Sequence, residues 1–177
     1  MQDRPLDFAP SGDDDPAVPR VDVELETDLS PEQVRAGLTD FSPRRPELWP
    51  GISPSLYKVY EVGETSATVQ EGTKLSLGSF WAKEHYDWSD PQTVRWTVEE
   101  SNFCAPGSFV SATLTPRPGG GTRIQMHWER TPTSFLGKFV GRIVVAARGK
   151  PVAQSFEKGL QRIAAASANA GNGEEKA

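Results

Sequence analysis

Apolar and polar positions along the chain follow two periods, and each period predicts a different kind of element. Val21-Asp22-Val23-Glu24-Leu25-Glu26-Thr27 alternates strictly, as a strand with one buried face does. Ser30-Pro31-Glu32-Gln33 then offers an N-cap, a proline at the first helical position and a glutamine able to close a capping box. Val34, Leu38 and Phe41 follow at helical spacing, so a short helix is predicted to about Asp40. Ser42-Pro43-Arg44-Arg45-Pro46 stops it, because proline disfavours helix in the residue before it. Residues 47–50 allow one further turn before Pro50-Gly51, with Trp49 directed inward.

Beyond this point the period returns to two. Strands are predicted over 56–62, 67–73, 80–88, 94–100, 108–115 and 122–130, all rich in Val, Thr, Tyr, Phe and Trp and separated by turn residues. Links this short join antiparallel neighbours, since parallel strands need a longer crossover, so the six form a meander. Ser134 can cap a helix over 135–148 that opens on Phe135, with Leu136, Phe139, Val140, Ile143, Val144 and Ala147 on its apolar side.

The last periodic run, 151–166, predicts a closing helix starting at Pro151. Val152, Phe156, Leu160 and Ile163 share one side, and Gln154, Glu157, Lys158, Gln161 and Arg162 the other. Gly159 lies beside the apolar stripe, where it costs roughly 0.5–1 kcal/mol against alanine. Either close packing against a strand or room for a ligand would offset that cost.

Composition sharpens the picture at the ends. Residues 1–19 mix Pro, Gly and Asp, including Asp13-Asp14-Asp15, and are expected to be disordered; 168–177, polar and glycine-bearing, are expected to fray. Residues 20–167 then form one domain. The net charge of −5 leaves no basic field to draw nucleic acid. A single cysteine, Cys104, excludes an internal disulfide. The first residues carry no basic and apolar signal pattern, and no apolar run approaches spanning length, so a soluble, cytoplasmic protein is expected.

The order strand, helix, helical turn, six antiparallel strands, long closing helix resembles the helix-grip fold of the START and birch-pollen-allergen-like superfamily, also labelled SRPBCC or polyketide cyclase/dehydrase. The resemblance spans about 21–166. Local patterns accompany it: Pro46-Glu47-Leu48-Trp49-Pro50, Val94-Arg95-Trp96-Thr97-Val98, and Gly119-Gly120-Gly121-Thr122 opening the last strand. It implies an α+β fold in which a curved seven-stranded antiparallel sheet wraps a long C-terminal helix, with a largely apolar cavity between them for lipids, sterols, polyketides or similar molecules. The helix over 135–148 is an elaboration of that plan.

Alternation selects the residues that can face such a cavity. Phe80, Ala82, Glu84, Tyr86 and Trp88 share one face of their strand and are read as inward, leaving His85 in water. In the last strand Ile124, Met126 and Trp128 point inward and His127 outward. Glu84 is the candidate acid or base, since desolvation would raise its pKa, and Tyr86, two residues along, could share a hydrogen bond with it. The alternative is a structural Glu84 paired with an arginine or reaching water. Glu71 is a weaker candidate on the same logic. Phe80, Trp88, Trp96, Val98, Val110, Leu114, Met126 and Trp128, with Phe156, Gly159 and Leu160 from the helix, are the candidate ligand wall.

No metal-ligand spacing, phosphate-cradling loop, dinucleotide fingerprint or nucleophile triad is found, so no metal or cofactor is expected. Lys138, Arg142 and Arg148 make the helix over 135–148 able to pack over the sheet or to meet an anionic membrane. The leading expectation is a carrier or sensor of a small hydrophobic ligand. A cyclase or dehydratase using Glu84 and Tyr86 is the alternative, and an interaction module acting through 135–148 is a third. Nothing in the pattern fixes an oligomeric state.

Overall fold

A computed structural model describes residues 18–76 and 78–174, the side chains of 169–174 excepted. Most of the expected N-terminal tail therefore lies outside the described residues. β1 (Arg20–Thr27) leads through α1 (Pro31–Leu38), α2 (Arg45–Leu48) and a single 3-10 turn (Pro54–Leu56) into β2 (Lys58–Val62), β3 (Ser66–Leu75), β4 (Gly78–Asp87), β5 (Thr93–Ser101), β6 (Phe109–Pro116) and β7 (Thr122–Glu129). α3 (Phe135–Ala146) and α4 (Lys150–Glu174) complete the chain. The seven strands form one sheet in the order β1-β7-β6-β5-β4-β3-β2, all pairs antiparallel. This is the helix-grip α+β fold: a meander, with β1 closing onto its last strand.

The predicted signals act locally as expected. Gln33 N donates to Ser30 Oγ at 3.3 Å and Ser30 N donates to Gln33 Oε1 at 2.9 Å, so the capping box forms. Alternation puts Val69, Ala82, Glu84, Tyr86, Val94, Val110, Ala112, Leu114, Ile124 and Met126 inside, while His85 is exposed. His127 lies on the same outer face, half-buried, its Nδ1 2.7 Å from Asp22 Oδ1.

α4 lies across the inner face and buries Phe156, Leu160 and Ile163 against strand residues and against Val34, Leu38 and Leu48 of the small helices. At ~1.5–3 kcal/mol for each large apolar side chain removed from water, this one stripe is a major source of stability. α4 also continues to Glu174, beyond the predicted helix end at 166. The Ala-rich stretch after Ile163 adds turns to an existing helix without the cost of a new nucleus.

α3 departs from expectation in orientation. Its buried residues are Gly137, Gly141 and Val144, while Phe139 and Ile143, expected inside, face water. The glycines set the contact: a Cβ on Gly137 would collide with the Phe103 carbonyl oxygen, so the helix rests backbone-close with its large side chains turned away.

Gly159 resolves in favour of packing, with an indole rather than a strand as its neighbour. A Cβ there would overlap Cε3 and Cζ3 of Trp49, whose Nε1 donates to the Gly37 carbonyl at 3.1 Å and whose ring sits 5.1 Å from that of Phe156. Helix propensity alone would make Gly159→Ala stabilising by about 1 kcal/mol. Because swinging the indole aside would break its bond to Gly37 and its contact with Phe156, the substitution is expected instead to destabilise by roughly 1–2 kcal/mol net, an overpacking cost outweighing propensity. Urea denaturation decides the sign; equal or greater stability would refute this account of the contact.

Candidate functional site

β3 and β4 carry the polar groups of the inner face. Antiparallel register sets Glu71 opposite Ala82 and Val69 opposite Glu84, so two carboxylates project from the inner face of adjoining strands. Each is met by an arginine from outside those strands. Arg45, on α2, bonds Glu71 Oε1 through Nε, the Leu38 and Asp40 carbonyls through Nη1 at 2.9 and 3.1 Å, and Tyr86 Oη through Nη2 at 3.1 Å. Tyr86 Oη in turn donates to Glu71 Oε2 at 3.2 Å, and its ring stacks on Trp96 with centroids 5.4 Å apart. Arg130, just past β7, donates to Glu84 Oε1 at 2.6 Å and reaches Cys104 Sγ at 3.8 Å.

The expected Glu84–Tyr86 pair is therefore not made. Both side chains point inward, but residues two apart on one strand diverge to different partners: Tyr86 is held by Arg45 and Glu71, Glu84 by Arg130. Glu84 does pair with an arginine, but the pair is buried and does not reach water.

Electrostatics follow from burial. Desolvation pushes the Glu84 carboxyl above its ordinary range, and the Arg130 guanidinium only partly offsets it. Burial likewise holds the Tyr86 phenol well above its ordinary value, reinforced by the charge of Glu71. For Arg45 and Arg130, burial opposes the charged form, but their carboxylate partners outweigh it and both stay cationic.

Two clefts open around these groups, with Gly51, Ile52 and Glu71 lining both. The larger, about 230 Å³, is lined by Ile52, Glu71, Phe80, Glu84, Phe103 and Arg130 among others. The smaller, about 160 Å³, is lined by Arg45, Trp49, Ile52, Tyr86, Trp96 and Phe156 among others. Apolar walls with a buried carboxyl, two guanidiniums and a protonated phenol can seat an apolar body and bond an oxygen on it. The same groups can exchange a proton with that oxygen. Among the described residues no cluster of three or more His, Cys, Asp or Glu side chains could hold a metal ion.

Of the candidate wall, the structure brings Phe80 and Glu84 to the larger cleft, and Tyr86, Trp96 and Phe156 to the smaller. The others do not line either. Val110, Leu114 and Met126 are core, and Trp88 and Trp128 pack against it. Val98 belongs to a separate small cluster with Ala82 and Cys104. Gly159 is covered by Trp49, and Leu160 turns toward an outer groove with Leu29 and Gln33. Phe41 and Trp49 fill the middle of the grip, the first at 5.0 Å from Tyr86 and 5.7 Å from Trp88, so most inward residues meet protein instead of space. Arg45, Arg130, Ile52 and Phe103 stand outside the sequence-based expectation. For Arg130 the signal is present: the inward alternation of Ile124, Met126 and Trp128 continues onto it.

The Glu84–Arg130 pair generates a pH signature. Arg130→Met leaves a buried carboxyl with no cation, and a group whose folded pKa is raised favours folding below its unfolded pKa, near ~4.3, and loses that contribution as pH climbs through the folded value. The variant is expected to lose about 3–5 kcal/mol at pH 8, much less at pH 4, and to be largely restored by adding Glu84→Gln. Urea midpoints across that range test it; a loss independent of pH would sever the link to Glu84.

No curated protein matches the chain in sequence. Solved structures share the fold. A Thermus thermophilus protein aligns at 20% identity over 84% of this chain and 99% of its own, with TM-score 0.68. The Zhui aromatase/cyclase from Streptomyces sp. R1128 aligns at 9% identity over 82% and 93%, TM-score 0.66. A START superfamily protein from Mycobacterium smegmatis aligns at 11% over 81% and 98%, TM-score 0.63. The family model described as polyketide cyclase / dehydrase and lipid transport matches residues 18–168. With that match covering all seven strands and most of α4, the chain belongs to this polyketide cyclase / dehydrase and lipid transport family.

Proposed function

We propose that the protein binds a small hydrophobic molecule bearing an oxygen function. Its apolar body would lie against Ile52, Phe80 and Phe103, with the oxygen at Glu84 and Arg130. The observation that carries this reading is the buried Glu84–Arg130 pair at the wall of an otherwise mostly apolar cleft. A closed ion pair between packed side chains would need no cleft. One that borders open volume can trade part of its hydrogen bonding to a ligand carbonyl or hydroxyl. Membership of a family described by polyketide cyclisation, dehydration and lipid transport supports the same ligand class. At ~25 cal/mol per Å², burying ~200 Å² of apolar ligand surface contributes about 5 kcal/mol before association costs, so the polar contact decides whether binding is useful.

A second reading, a cyclase or dehydratase, is favoured by one feature. Burial raises the Glu84 pKa, which suits a group that must both hold and release a proton, and aromatase/cyclases are among the proteins of the same fold. Tyr86, tied to Arg45 and Glu71, would take no direct part.

Native and denaturing mass spectra of the purified protein, with solvent extraction of whatever is lost between them, test the binding reading. A co-purified apolar molecule with an oxygen function is expected. An empty protein that also fails to bind palmitate, cholesterol and a polycyclic phenol would overturn it. Thr73→Trp, filling the larger cleft, is expected to weaken binding at least tenfold. Glu84→Gln separates the two roles: affinity within a few fold of the wild type marks a carrier, whereas loss of turnover on a bound polyketide-like substrate marks Glu84 as the proton-transfer group.

A further inference from the structure

α3 turns its large side chains to solvent. Phe135 is 88% exposed, Phe139 56%, Ile143 46% and Val145 44%, while glycines and Val144 make its contact with the domain. Lys138 and Arg142, also exposed, stand between these apolar residues on the same outward side. Around the helix the charge is one-sided: residues 131–156 hold Lys138, Arg142, Arg148 and Lys150 and no Asp or Glu, in a chain whose net charge is −5. Among the described residues none of these four cations pairs with a carboxylate.

Exposed phenylalanines interleaved with unpaired cations on one helix face complement an anionic lipid surface, where the rings enter the acyl boundary and the cations meet headgroups. A protein partner or second copy with a matching apolar groove would need acidic groups placed against Lys138 and Arg142. A membrane surface supplies them without register. The acidic remainder of the chain is repelled by the same surface, which orients the contact. At twelve residues, α3 is about 18 Å long, suited to lying in the interface, and no described helix is long and apolar enough to cross a membrane.

We infer that the outward face of α3, Phe135, Phe139 and Ile143 with Lys138 and Arg142, docks this protein onto anionic membranes. The larger cleft lies near the opposite, buried side of α3. The Phe103 carbonyl accepts from Thr133 N at 3.0 Å and meets α3 at Gly137, and Phe103 is a wall of that cleft. The docking is read from the helix and its charges and stands whether or not the cleft holds a ligand.

Flotation of the full chain with vesicles of phosphatidylcholine and phosphatidylglycerol, 7:3, and with phosphatidylcholine alone, tests it. The protein is expected to float with the anionic vesicles and far less with the neutral ones, and to release as salt rises. Phe135→Ser with Phe139→Ser is expected to cut binding at least tenfold with an unchanged thermal melt, since both side chains are exposed. Lys138→Glu with Arg142→Glu provides an independent variant with the same expected loss. Failure of the wild type to float with anionic vesicles overturns the inference, as does flotation of both variants equal to wild type. A wild type that stays unbound but sediments as a dimer, which Phe135→Ser with Phe139→Ser dissociates, assigns the face to a second copy and likewise overturns it.

Discussion

A carboxylate on the inner face of a sheet must be given a cation, because an unpaired buried charge costs more than a small domain can absorb. Glu71 and Glu84 impose that condition here, and much of the chain's path meets it. Arg45 reaches Glu71 only because α2 is folded back beneath the sheet, and its remaining donors take the Leu38 and Asp40 carbonyls that the end of α1 leaves open. The same guanidinium lies over the Phe41 ring, 4.6 Å from its centroid, so the link between the small helices is held by charge and by ring together. Arg130 serves Glu84 from the opposite direction, and the cysteine beside it, Cys104, is buried in the loop that α3 leans on.

Legibility in the sequence tracks the range of the interaction. Strand alternation and the Ser30 capping box depend on residues within a few positions of one another, and both appear where the pattern puts them. Alternation assigns the β4 faces correctly across a register shift beside Glu84, because the extra residue, Glu99, falls on β5. Arg45 reads only as part of a helix-stopping segment, since nothing local links it to a glutamate 26 positions on. Gly159 signals a close approach but not its partner, an indole from a segment more than a hundred residues earlier. α3 shows the limit of an apolar count: glycine contact outweighs side-chain hydrophobicity in choosing the buried face, and amphipathicity alone does not weigh those two against each other.

Cleft volume is a contest over the same interior. Trp49, Phe41 and Phe156 fill part of the interior, and Gly51, Ile52 and Glu71 line both of the clefts that remain around the buried charges. The 49–53 segment is tied down at several points. Ile52 N donates to the Trp49 carbonyl at 2.9 Å, Ser53 N to the Gly72 carbonyl at 2.7 Å, and Thr73 Oγ1 to the Gly51 carbonyl at 2.5 Å. A ligand reaching across both clefts would have to displace the 49–53 segment.

These bonds have different consequences for such a displacement. Those that tie the Gly51 carbonyl and the Ser53 amide to β3 lie near solvent, and water can replace them at modest net cost. The Trp49 indole is different, for its movement would vacate the space above Gly159 and leave it without contacts unless ligand atoms took its place. Opening is thus coupled to filling: a molecule apolar enough to replace the indole against α4 offsets the loss, and a small polar one does not. On the proposed reading, selection for an apolar body would be made by the wall that has to move, and selection for an oxygen by the arginine and carboxyl that stay in place.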